Sequence, residues 1–128
     1  MYNFNNLSDF EFEILCKDIM QKKLGINLYT FQKGRDGGID ITDSPSTKSI
    51  IIQVKHYINS KYSDLIASLR KEIGKVKELN PQKYYVCCAV KLTAKNKQEI
   101  YKLFSEYMES ANNVLSLLDI NDFLENPE

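Results

Sequence analysis

The 128-residue sequence predicts one α/β domain, residues 1–128, in which a mixed central sheet is flanked by helices. Three observations predict it. Apolar residues recur at helical spacing near the start and in the middle of the chain, and short β-branched runs lie between these segments. The first three such runs are joined by turns too short for crossover helices, so the sheet begins antiparallel. The later strands are separated by helices and can join in parallel.

Taken in order, the first helix begins at Ser8, where Ser8-Asp9-Phe10-Glu11 fits a capping box. Phe12, Leu15, Cys16 and Ile19 follow at helical spacing, and Gly25 supplies the stop. Residues 28–32 read as a short strand, 33–38 as a glycine-containing turn, 39–42 as a strand and 43–46 as a second turn. Residues 49–57, rich in β-branched side chains, form the clearest strand. Residues 62–79 form a long helix with Leu65, Leu69, Ile73 and Val76 on one face, ended by Asn80-Pro81. Residues 83–90 are nearly continuous in apolar character, as in a strand covered on both faces. Thr93 caps a helix to about residue 110, then come a strand at 114–118 and a short helix at 120–124. Phe12, Tyr84, Tyr85, Phe104 and Tyr107 are read as core.

Composition narrows the function classes. Hydrophobic residues make up 43% and charged residues 27%, ordinary for a chain that buries a core. No stretch approaches the roughly 20 apolar residues of a membrane helix, and the N-terminus lacks the basic and apolar regions of a secretory signal. Three cysteines argue against a disulfide framework and read as buried, reduced thiols, so a cytoplasmic location is expected. With one histidine and no C-x-x-C pair, zinc is disfavoured. The zero net charge conceals an asymmetry: residues 33–97 hold 13 basic and six acidic side chains, and residues 98–128 hold one and seven. A basic middle of this kind is either a set of solvated helix faces or a local polyanion-binding surface.

Strand periodicity then brings chemistry together. Gln53 and Lys55 share a face, whereas Ile50, Ile52 and Val54 point to the other. Asp40 projects opposite to Ile39 and Ile41, and the intervening turn carries it beside the Gln53/Lys55 pair. A carboxylate, an amide and an ammonium near the middle of a sheet call for a cation, a partner or an anionic substrate. Mg²⁺ suits such oxygen donors, with Asp40 as ligand, a strand carbonyl at Val54 assisting, and Lys55 orienting or deprotonating an attacking water. The bland alternatives are a solvated Asp40 beside a turn and an exposed edge-strand Lys55.

Gly34-x-Asp36-Gly37-Gly38-Ile39-Asp40-Ile41, followed after 11 intervening residues by Gln53-Val54-Lys55, resembles the Mrr-type branch of the PD-(D/E)xK nuclease superfamily. The opening Leu7-Ser8-Asp9-Phe10-Glu11-Phe12-Glu13 resembles that family's first helix, and the likeness extends from about Leu7 to Leu118. It implies the restriction-endonuclease-like αβββαβ core. It also implies Asp40 as main metal ligand, Gln53 in place of the usual acid, Lys55 as catalytic lysine and Glu13 as an outer acid of the metal site. Glu11 competes with Glu13 but suits the capping box. Asp36 reads as a turn former, His56 as structural, and Tyr57 as either a DNA contact or packing.

The resemblance therefore implies a Mg²⁺-dependent DNA endonuclease, with Mn²⁺ as a substitute, serving as an effector in restriction or anti-phage defence. Lys33, Arg35, Lys61, Arg70 and Lys71 would neutralise phosphates. Cutting both strands calls for a homodimer or higher oligomer. Similar domains are frequently joined to an NTPase, sensor or recognition region, so this domain is expected to be the N-terminal effector module of a larger protein. Two other readings remain open: a non-catalytic nucleic-acid-binding or assembly module that keeps the fold, and a nuclease that resolves branched DNA.

Overall fold

The computed structural model describes residues 7–30, 41–44, 46–57 and 61–125. Helix α1 spans Asp9–Leu24, and the short strands β1 and β2 are Tyr29–Thr30 and Ile41–Thr42. Strand β3 is Ile50–Lys55, α2 is Tyr62–Leu79, β4 is Lys83–Cys88 and α3 is Ala94–Leu103. A single 3₁₀ turn at Ala111–Asn113 leads into β5, Val114–Leu115, and α4 covers Leu117–Glu125. The sheet order is β1-β2-β3-β4-β5; β1, β2 and β3 pair antiparallel, and β3, β4 and β5 pair parallel. This is the mixed α/β sheet that the turn and crossover lengths predict.

Alternation along the two long strands divides the core into two layers. Ile51, Tyr84, Val86 and Cys88 pack with Leu65 and Leu69 of α2 and Ile100 and Phe104 beyond. Ile52, Val54, Tyr85 and Cys87 pack with Phe12, Cys16, Ile19 and Met20 of α1 and Ile120 of α4. No helix among the described residues is long and apolar enough to cross a membrane.

The helix ends follow local chemistry. Ser8 Oγ accepts from the Glu11 amide at 3.1 Å while the Ser8 amide donates to Glu11 Oε1 at 2.8 Å, the reciprocal capping box read from sequence. Gly25 closes α1 at φ +68, and Asn80 closes α2 at φ +48, both in the left-handed region.

Several boundaries differ from the sequence reading: β1 starts at Tyr29 rather than 28, β3 covers Ile50–Lys55 rather than 49–57, β4 stops at Cys88 rather than 90, and α4 starts at Leu117 rather than 120. Helix α3 stops at Leu103 rather than near residue 110, because Phe104 turns inward against Tyr84, with ring centroids 4.7 Å apart. The Tyr107 carbonyl then accepts from the Tyr84 amide at 2.8 Å, so this backbone contact with β4 and the burial of Phe104 win over helix propagation. The last strand ends at Leu115 rather than 118, because Ser116 starts α4: its amide and hydroxyl both donate to Asp119 Oδ2, at 2.8 and 2.9 Å. That Ser-x-x-Asp spacing is a start signal present in the sequence.

The turn between β2 and β3 is closed by one side chain. Asp43 accepts from the Ile50 amide at 3.0 Å, from the Thr42 hydroxyl at 3.3 Å and from the Ser49 hydroxyl. Thr42 Oγ1 also donates to the Ile50 carbonyl at 2.8 Å. Burial opposes ionisation of Asp43, but these donors outweigh it and hold its carboxyl below the ordinary carboxylate range.

Asp43→Ala should lower stability at pH 7 by about 1 kcal/mol, discounted for its partial exposure, as read by urea denaturation. Because the folded pKa lies below the unfolded value of about 3.9, the contribution is present above about pH 4 and is lost as pH falls through the folded value. The wild-type and Asp43→Ala stabilities should converge in acid. The three cysteines are buried and free. Burial pushes the Cys88 thiol up to about 12 and raises Cys16 well above its ordinary value. A thiol reagent at pH 8 should therefore label the native chain far more slowly than the urea-unfolded chain, which titrates three thiols.

Candidate active site

The sheet order makes β3 the central strand, so Lys55 is not an edge lysine. Its residues pair with β4 in parallel as Ile51↔Tyr84, Gln53↔Val86 and Lys55↔Cys88. Ile51, Gln53 and Lys55 accordingly lie on the α2 face, and Ile50, Ile52 and Val54 on the α1 face. Gln53 is 4% exposed, an amide held inside the sheet layer, while Lys55 is half-buried at the strand's C-terminal end. The sequence assigns Gln53 and Lys55 to one face, and the structure keeps them there. It adds that the same face carries core at Ile51.

Lys55 sits where the strand stops. Its carbonyl accepts from the Ala89 amide at 3.3 Å, its Nζ lies 5.8 Å from the centroid of the Tyr57 ring, and Tyr57 takes φ +40. A tyrosine in the left-handed region is strained, and such residues gather where the chain must turn sharply beside a site. Tyr57 also packs against the α2 layer, so it shares the lysine's face and contributes to the core at once.

On the other side of the sheet, α1 divides its acids as the cap predicts. Glu11 is spent on Ser8, and the backbone and side-chain donors of Ser8 lower its pKa. Glu13 is 3% exposed on the α1 face of the sheet. The structure therefore sets Glu13 and the Gln53/Lys55 pair on opposite faces, and α1 meets the chain at the end of β3. There His56 stacks on Phe12 with centroids 4.6 Å apart and places Nδ1 3.0 Å from Asp9 Oδ1. His56 is thus tied to α1, a link across 47 residues of sequence that no local periodicity signals.

Asp40, Lys33 and Arg35 lie outside the described residues, as does the turn over 33–38. Lys61, Arg70 and Lys71 are exposed on α2 or its N-cap. Arg70 stands close enough to the Tyr62 hydroxyl to oppose the rise in its pKa, which burial and the Glu99 carboxylate cause. The aromatic residues read as core are so: Phe12, Tyr84, Tyr85 and Phe104 are buried, and Tyr107 packs against the layer that holds Tyr84 and Phe104.

Among the described residues no group of three or more His, Cys, Asp or Glu side chains is placed to hold a metal ion. The Gln53 amide, the Val54 carbonyl and the Glu13 carboxylate are all oxygen donors. Oxygen donors suit a hard divalent cation and not a thiolate-loving one.

A family model described as "Restriction endonuclease", the Mrr catalytic domain, matches residues 4–125, nearly the whole chain. The chain belongs to the Mrr-type restriction endonuclease family. A relative described as an uncharacterized protein, y4cD of Sinorhizobium fredii (strain NBRC 101917 / NGR234), is 32% identical over 123 residues. The match covers 96% of this chain and 19% of the relative, so the chain spans about a fifth of that protein's length. Membership in the Mrr-type family makes this a nuclease-family domain with the restriction-endonuclease-like fold, and domains of this kind use divalent metals.

The buried amide generates a prediction for this Mrr-type domain. Gln53→Leu, similar in volume, should leave the fold intact while removing the only polar atoms of that side chain. The variant should therefore keep its circular dichroism spectrum and unfold within about 1–2 kcal/mol of wild type.

Proposed function

We propose that this domain hydrolyses phosphodiester bonds in DNA with a divalent metal, Mg²⁺ by preference and Mn²⁺ as substitute. The observation that carries the reading is the Gln53/Lys55 pair on one face of the central strand, at the end where β3 stops. The β2–β3 pairing runs Thr42↔Ile51 and Ile41↔Ile52. We assign Asp40, the residue that precedes this paired segment in the sequence, as the principal ligand.

Each residue has a role that its chemistry supports. Asp40, the Val54 carbonyl and Glu13 would hold the metal, Glu13 as an outer acid because it lies on the α1 face. Gln53 supplies an amide oxygen without charge, so phosphate oxygens of the substrate are needed to complete the shell. Lys55 orients or deprotonates the attacking water and offsets charge developing on the phosphate. The metal, when bound, polarises the phosphate and lowers the pKa of water. Lys33, Arg35, Lys61, Arg70 and Lys71 neutralise flanking phosphates, which gives affinity without base preference.

In a longer protein the domain acts as an effector for restriction or anti-phage defence, joined to a recognition, sensor or NTPase region. The small share of the S. fredii relative that the match covers supports the joining to a further region. Double-strand cutting then follows from pairing of two such domains.

Purified protein incubated with plasmid and linear duplex should cut in Mg²⁺ or Mn²⁺ and not in EDTA. Asp40→Ala and Lys55→Ala should each reduce the rate by about 10²–10⁴-fold, and Glu13→Gln by less than either. Wild-type cutting that survives in both variants would overturn the assignment; salt-sensitive binding without cutting would replace it with a binding module. Four-way junctions cut in preference to duplex would point to branched DNA. Replacing Lys61 by Ala should weaken duplex binding evenly across sequences and reduce the salt slope by about 0.9.

A further inference from the structure

Glu13 and Lys55 stand on different elements and on opposite faces of the sheet, so their spacing depends on whatever locks α1 to the end of β3. The described residues contain a contact suited to that task. His56, the residue after Lys55, is 3% exposed. Its ring lies nearly parallel to that of Phe12, at 4.6 Å and 18°, and its Nδ1 meets Asp9 Oδ1 at 3.0 Å. Asp9 lies one helical turn before Glu13 on the same side of α1, and Phe12 is its immediate neighbour.

We infer that His56 is a positioning residue: by gripping α1 through Asp9 and Phe12, it fixes where Lys55 and Glu13 stand relative to one another and to the scissile phosphate. The inference rests on the nuclease reading above and adds a residue to it. A stack alone restrains the ring plane but lets the strand end slide along α1. A hydrogen bond alone restrains distance but lets the ring swing. Together they leave β3's last residues one orientation, and the left-handed turn at Tyr57 follows directly. Metal and phosphate chemistry requires such precision, since a misplacement of about 1 Å can cost on the order of 100-fold in rate. If His56 served packing alone, Phe would replace it without kinetic consequence.

The test compares His56→Phe, which keeps the stack and loses the polar contact, with His56→Asn, which keeps a polar group at the Nδ1 position. Asp9→Ala completes the set. With Mg²⁺ and a duplex substrate, His56→Phe should lower kcat by about tenfold or more while KM for DNA stays within about twofold, because phosphate contacts made elsewhere are untouched. His56→Asn should recover part of kcat, and His56→Phe combined with Asp9→Ala should cost no more than His56→Phe alone. Circular dichroism and urea unfolding, run on every variant, should show each folded at the assay temperature. Should His56→Phe misfold, Asp9→Ala, altered at an exposed carboxylate, carries the same kcat expectation. Wild-type kcat in the folded variants, or a rise in KM alone, overturns the inference and leaves the nuclease reading standing. A wild-type chain that cuts no DNA overturns both.

Discussion

The register between β2 and β3 is the constraint on which the site depends. A slip of one residue would move every side chain of β2 to the other face of the sheet. Asp43 prevents it by collecting donors from Thr42, Ser49 and the Ile50 amide, so that the turn and the first rung of the pairing close together. Only with that rung closed does Thr42 meet Ile51 and Ile41 meet Ile52. The chemistry proposed for Gln53 and Lys55 would thus depend on a carboxylate that takes no part in it.

The two core layers perform complementary tasks around this hairpin. The α2 layer packs beneath Ile51 and seals the Gln53 amide from bulk water. A polar group so placed acts in a low-dielectric setting, where its interactions with a cation or phosphate gain strength. The α1 layer carries Glu13 and grips the strand end through Phe12 and His56. The parallel pairing of β3 with β4 brings the carboxyl ends of both strands to one rim, the region where open α/β sheets bind ligands. The groups proposed to react would therefore stand at a rim supported from both faces.

Much of this was legible in the sequence, and the parts that were not have physical reasons. Alternation in the Gln53–Lys55 segment revealed the shared face, because period two is a local property. The capping box at Ser8 separated Glu11 from Glu13 for the same reason. The antiparallel start and parallel finish followed from connection lengths. The end of α3 escaped because burial of Phe104 against Tyr84 is decided by tertiary packing and not by helix spacing. The start of α4 was missed although Ser116-x-x-Asp119 signals it. The contact of His56 with Asp9 had no local signature at all, since it joins residues far apart in the chain. The opposite-face placement of Glu13 likewise depends on which layer α1 packs into.

Residues from three parts of the chain must converge for the proposed chemistry to operate, and paramagnetic broadening by Mn²⁺ reads that convergence most directly. With ¹⁵N-labelled protein and substoichiometric Mn²⁺, the account predicts that the amide signals of Asp40, Gln53, Val54 and Lys55 broaden first and together, with Glu13 following. Broadening confined to the acidic residues beyond position 98, with the Asp40 and Lys55 signals left sharp, would contradict it.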